Sequence, residues 1–149
     1  MRCLCFAFLL LLIPSCTRTT TTLFIEAESF QDKGGWVIDQ QFTDIMGSTY
    51  LMAHGLGKPV DNASANIEAG EGGLYRLWVR TKNWTAPFTA VQTPGTFRVQ
   101  INSKEVRHTF GKGLGRWHWE DGGNIRLKRG SNNLVLKDLT GFNGRVDAF

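Results

Sequence analysis

Gly73-Leu74-Tyr75-Arg76-Leu77-Trp78-Val79-Arg80-Thr81 alternates in character along its length. Residues two apart on a β-strand share a face. Tyr75, Leu77 and Val79 therefore point one way, and Arg76, Trp78 and Arg80 the other. The first set is assigned to a core. On the second face Trp78 stacks on the Arg planes or lies under a loop. Gly70-Glu71-Gly72-Gly73 just before it is a firm turn.

Outward from this strand the same period recurs. In Thr96-Phe97-Arg98-Val99-Gln100-Ile101-Asn102, the residues Phe97, Val99 and Ile101 face inward. Shorter candidates are residues 36–42, 46–53, 64–68, 105–110, 116–120, 124–128, 134–139 and 144–149. Turns are expected at Gln31-Asp32-Lys33-Gly34-Gly35, at Asp121-Gly122-Gly123 and at Gly130-Ser131-Asn132-Asn133. Nine or ten short strands between Gly/Asn turns define an all-β domain, a β-sandwich. The connection over residues 82–95 is long, and a connection of that length usually carries function.

Phe24-Ile25-Glu26-Ala27-Glu28-Ser29-Phe30 also reads as strand-like, which places Glu26 and Glu28 on one face. Adjacent like charges ask for a cation between them, and Ca²⁺ takes such oxygens. The plainer reading is an exposed acidic face on an edge strand.

Residues 1–16 read as a lipoprotein signal peptide: Arg2, an apolar run over residues 6–13, then Ile13-Pro14-Ser15-Cys16. Cys16 is the expected lipidation site, and residues 17–22 form a polar tether. All three cysteines lie in this leader, so residues 23–149 contain neither a disulfide nor a catalytic thiol. The expected location is the bacterial cell envelope, lipid-anchored at the periplasmic or outer-membrane surface. Ordinary cleavage near Ser15 with secretion is the alternative. The net charge of +4 comes from scattered residues with no Lys/Arg run, so nucleic acid is not an expected partner.

Glu26-Ala27-Glu28, the strand 73–81 and Arg145-Val146-Asp147-Ala148-Phe149 together resemble β-jelly-roll carbohydrate-binding modules of families 6 and 35, which are galactose-binding-like sandwiches. The resemblance spans most of residues 23–149 and implies a structural Ca²⁺ held by Glu26, Glu28 and Asp147. Gly34-Gly35-Trp36, Trp117-His118-Trp119 and Asp138-Leu139-Thr140-Gly141-Phe142 are similar to a module at the front of bacterial secreted FAD-dependent oxidoreductases and polysaccharide-related enzymes. That implies an appended catalytic domain, and a final strand truncated at Phe149 is the accompanying expectation. No Gly-x-Gly-x-x-Gly fingerprint for FAD is present.

A sugar site needs an aromatic platform with hydrogen-bonding groups beside it. The candidates are Trp84, Trp117, Trp119 and Asn143. In an extended 116–120 segment, Trp117 and Trp119 share a face. The competing reading puts both in the core or at a sheet edge. His54 and His118 lack partners at metal or triad spacing and read as structural. Glu120 and Asp121 are adjacent and diverge on a strand, which disfavours a glycosidase pair. The expected function is a non-catalytic glycan-binding module that holds an appended enzyme, or the cell, near polysaccharide. The alternative is a structural sandwich packing against a FAD-dependent oxidoreductase or hydrolase without binding sugar.

Overall fold

The computed structural model describes residues 20–86 and 94–149. Cys16, half of the tether (residues 17–19), and Pro87 and Phe88 of the long connection lie outside the described residues. Two antiparallel sheets face each other. One has the strand order β1-β2-β9-β4-β7 and the other β3-β8-β5-β6. The strands are β1 (Val37–Asp39), β2 (Tyr50–His54), β3 (Ala63–Ala69), β4 (Gly73–Thr81), β5 (Phe97–Ile101), β6 (Lys104–Glu105), β7 (His118–Leu127), β8 (Gly130–Asp138) and β9 (Phe142–Ala148). This is the expected β-sandwich, a jelly roll.

The core lies between the sheets. Leu77 and Val79 of β4 meet Phe97 and Val99 of β5, Leu134 and Leu136 of β8, and Val146 of β9, all buried. Trp36 meets Phe97 edge-on at 5.8 Å, and Phe110 stacks on Phe97 at 5.6 Å. Each large side chain buried here contributes about 1.5–3 kcal/mol. The alternation that defines β4 and β5 is thus the alternation of core and surface.

Several local expectations are corrected. Residues 24–30 are not a strand. Glu26 makes one backbone bridge to Ala148, and Ala27–Ser29 is a 3-10 turn. The Ser29 N–H and hydroxyl both donate to the Glu26 carbonyl, which closes that turn and buries Ala27 and Phe30. Residues 43–46 form a one-turn helix, α1 (Thr43–Met46), ended by Gly47 in the left-handed region.

Asp121-Gly122-Gly123 is not a turn but lies inside β7. The register against β4 slips there between Leu77 and Trp78, forming a bulge. A side chain at Gly122 would collide with Leu77 and Phe110. Gly130-Ser131-Asn132-Asn133 already belongs to β8. The buried Asn132 closes the turn before it, accepting from the Lys128 N–H and donating to the Lys128 and Gly130 carbonyls.

Candidate functional site

Loops and strand ends converge at one end of the sandwich. Asp138, at the end of β8, is buried and accepts N–H bonds from Val60, Thr140 and Gly141 at 3.0, 3.2 and 2.7 Å. That carboxylate folds the 139–142 turn against the 55–60 loop. Gly141 sits at φ +64, and a Cβ there would lie 1.8 Å from the Lys58 carbonyl oxygen, so only glycine fits. The turn delivers Phe142 and Asn143 to the surface.

Trp84 packs onto them. Its indole N–H donates to the Phe142 carbonyl at 2.9 Å, and the two rings stack at 5.6 Å and 13°. Phe142 keeps 43% of its surface exposed. Asn143, at φ +58 inside β9 rather than in the loop before it, places its side-chain oxygen 2.7 Å from His54 Nδ1. An aromatic stack with an amide and an imidazole beside it therefore sits on rigid strand ends.

A second cluster adjoins the first through Arg145. The Arg145 guanidinium lies 5.6 Å from the Trp84 ring and 6.0 Å from Phe42. Lys82 Nζ lies 3.9 Å over Phe42. Burial, and then the Arg145 charge, push the Lys82 pKa down. Trp117 packs edge-on against Tyr50 at 4.8 Å and Phe42 at 6.2 Å. Tyr50 donates to Asp39 at 2.8 Å, and burial together with Asp39 pushes its hydroxyl up to about 12. Burial works against Asp39, but bonds from the Gln41 N–H and the Tyr50 hydroxyl hold its carboxyl below the usual range. The Arg145 Nε and Trp117 Nε1 hydrogens are both buried without a partner among the described residues.

Trp119 is elsewhere. It stands opposite Arg80 on the outer face of the larger sheet, 43% exposed, and lines a different cleft with Trp78. The structure thus joins Trp84 to Asn143, links Trp117 to them through Arg145, and separates Trp119. The shared face expected for Trp117 and Trp119 is not formed, because Trp117 precedes the strand and turns onto Tyr50. Glu120 and His118 are tied up structurally. Glu120 accepts from the Gly113 N–H and lies 3.1 Å from His108 Nε2, while His118 Nε2 accepts from the Leu114 N–H.

The acidic residues meet where the chain ends pair. The Ile25 and Phe149 backbones exchange hydrogen bonds, which brings Glu26 beside Ala148. Asp147 is buried, accepts from Ser48, and pairs with Arg80 at 2.9 Å. Glu28 accepts from Thr49, but its Oε2 is buried with no partner. Burial, and after it the charges of Glu26 and Asp147, raise the Glu28 pKa. An orphaned carboxylate oxygen among hydroxyls and carboxylates suits a hard cation. Against that, Arg80 already gives Asp147 a positive partner, and no set of three acidic, His or Cys side chains stands at metal-holding distance among the described residues.

Sequence reasoning missed Phe42, Tyr50, Lys82, Phe142 and Arg145, and read His54, which stands beside Asn143, as structural. Arg145 carried the one usable signal: it is the lone cation in the strand segment 142–148.

No protein-family profile matches the sequence, and no curated protein matches it. Solved structures do. A family 35 carbohydrate-binding module from Clostridium thermocellum superposes with a TM-score of 0.62 at 18% identity, covering 86% of this chain and 96% of that one. A family 35 module from an environmental isolate gives 0.61 at 16%, covering 85% and 90%. The GH26-CBM35 β-(1,4)-mannanase of Podospora anserina gives 0.64 at 19%, with 85% of this chain but 26% of that protein covered. The fold is that of family 35 carbohydrate-binding modules.

Proposed function

We propose that this protein is a non-catalytic carbohydrate-binding module whose site is the Trp84–Phe142 stack with Asn143 and His54. The observation that carries this reading is the half-exposed aromatic pair held beside hydrogen-bonding side chains at one end of the sandwich. Sugar C–H faces stack on such rings, and the amide and imidazole take hydroxyls. Neighbours of the same fold that are named as carbohydrate-binding modules support it. Arg145 and Lys82 border the stack. Trp117 braces Arg145 through Phe42 and Tyr50, while Trp119 has no part in this site.

The wider role follows the same line. Cys16 would carry the lipid that anchors the protein in the bacterial envelope, and the module would hold an appended enzyme, or the cell, near polysaccharide. A mannanase that contains this fold as a quarter of its length supports the accessory role. Glu28, with Glu26 and Asp147, would hold a structural Ca²⁺, supported by the orphaned Glu28 oxygen.

Affinity electrophoresis of the protein through gels containing mannan, xylan, pectin or galactan tests the reading. Retardation in at least one gel that disappears in Trp84→Ala is expected. Uniform mobility in every gel overturns it and leaves the alternative, a sandwich that packs against an appended oxidoreductase or hydrolase.

A further inference from the structure

A two-residue bridge in the connection between β6 and β7 joins β7 to the turn that carries Trp84. Gly113 and Leu114 direct their N–H groups to β7. Gly113 donates to Glu120 Oε1 at 3.0 Å, and Leu114 donates to His118 Nε2 at 3.3 Å. Their carbonyls face Asn83. It donates its backbone N–H to the Leu114 carbonyl at 3.0 Å and its side-chain amide to the Gly113 carbonyl at 3.3 Å. Gly113 approaches so closely that a Cβ there would stand 2.1 Å from His118 Nε2. Asn83 is buried, and its Oδ1 accepts the N–H and the hydroxyl of Thr85 at 3.1 and 2.9 Å. Both neighbours of Trp84 are thereby fixed, and the indole is aimed at the Phe142 carbonyl.

His118 cannot keep its place in this chain of bonds when it gains a proton. Its Nδ1 lies 3.0 Å from the Arg116 carbonyl, which only accepts, and its Nε2 receives the Leu114 N–H, which only donates. The ring is therefore the neutral tautomer with the proton on Nδ1. A second proton, on Nε2, sets donor against donor at Leu114. The acceptor within reach is Glu120 Oε1, 3.4 Å away. Charged His118 turns to that oxygen and releases the Leu114 N–H. That N–H and the Gly113 carbonyl belong to one planar peptide unit, so the release also moves the carbonyl that holds the Asn83 side chain. His108 differs, because its Nε2 lies 3.1 Å from Glu120 Oε2 and donates to it in either charge state. The connection itself carries Lys112 and Arg116, Asp121 on β7 is paired with Arg76, and β4 opposes His118 with the neutral Thr81.

We propose that His118 is a positioning residue for Trp84 and makes glycan binding depend on pH. Neutral His118 holds the 113–114 bridge and, through Asn83, the indole against Phe142. Histidine gains its charge between about pH 8 and 5.5; charged His118 lets the bridge go, and binding weakens. The inference rests on the Trp84–Phe142 stack being the sugar site, and it adds what regulates that site.

The test is a proton–nitrogen NMR titration of the whole chain from about pH 8 to 5.5. The His118 ring, the Leu114 and Asn83 amides and the Trp84 indole are expected to shift with one midpoint. In His118→Gln, whose amide oxygen accepts at every pH, the Leu114, Asn83 and Trp84 shifts vanish; in His108→Gln they persist. On whichever polysaccharide retards the parent, binding is expected to be about fivefold weaker at the acid end, and in His118→Gln the same at both ends. A Trp84 indole that does not follow the His118 midpoint in the parent overturns the inference before any variant is made. So does an unchanged response in His118→Gln, its loss in His108→Gln, or equal affinity at both ends while the indole shifts. If no polysaccharide retards the parent at either end, the sugar reading fails, and the indole titration still decides whether His118 positions Trp84.

Discussion

The two ends of the sandwich solve opposite problems. At the Trp84 end, described polar groups meet one another: Asp138 takes three N–H groups, Trp84 donates to a carbonyl, and Asn143 meets His54. At the β4–Thr20 end most of the lining side chains are apolar, Leu77, Ile101 and Leu134 among them. A closed polar network fixes side chains in place, as recognition of a small ligand requires. The two ends therefore differ in how firmly polar contacts hold their side chains.

The sharpest way to break this contrast is to open the closed end. Asp138→Ala leaves three N–H groups, that of Gly141 buried and those of Val60 and Thr140 partly buried, without this acceptor, so a loss of about 3 kcal/mol in unfolding free energy is expected by chemical denaturation. Gly141→Ala follows, costing about 2 kcal/mol or more, since it forces a positive φ and a collision with the Lys58 carbonyl. A loss below about 0.5 kcal/mol for either variant would show that the closed end is not held as described.

Next is the pair Trp84→Ala and Trp119→Ala. The first removes an aromatic from the proposed sugar site, and a loss of about 2 kcal/mol in glycan affinity is expected, measured by calorimetry on whichever polysaccharide retards the parent. The second lies 43% exposed in the other cleft and is expected to leave glycan affinity unchanged. Equal losses would merge the two regions into one site.

The sandwich was legible from β4 and β5 because their faces differ in kind, apolar inward and polar outward. The turns were less so. Asp121-Gly122-Gly123 has turn residues, yet the β7 bulge uses the same glycine freedom at φ +82 within a strand. Residues 24–30 alternate like a strand, but one bridge to Ala148 and a side-chain bond from Ser29 convert the run into a turn. Trp84 could be chosen from residue type and loop position, and Asn143 from residue type although it lies inside β9. Their companions could not, because Phe42, Tyr50 and Arg145 meet only through the β2–β9 pairing, a contact between residues about a hundred positions apart.

The smallest expected effect lies at Glu28, where the chain ends meet. Its carboxyl has a folded pKa above the ordinary 4.5, burial being the main cause. The sign follows from linkage: the folded state holds this proton more tightly than the unfolded state does. Without a divalent cation, this group lowers stability as pH rises from 4.5 towards the raised value, and the penalty persists above it. Glu28→Gln removes that penalty, so in EDTA the variant should unfold at a slightly higher temperature than the parent at pH 7 and at the same temperature near pH 3.5. Adding Ca²⁺ should raise the parent's midpoint and leave the variant's unchanged, because a ligand that binds only the folded state stabilises it. If both respond to Ca²⁺ alike, Glu28 is not a ligand. If neither does, Arg80 alone neutralises Asp147 and the chain ends are joined by backbone pairing without a metal.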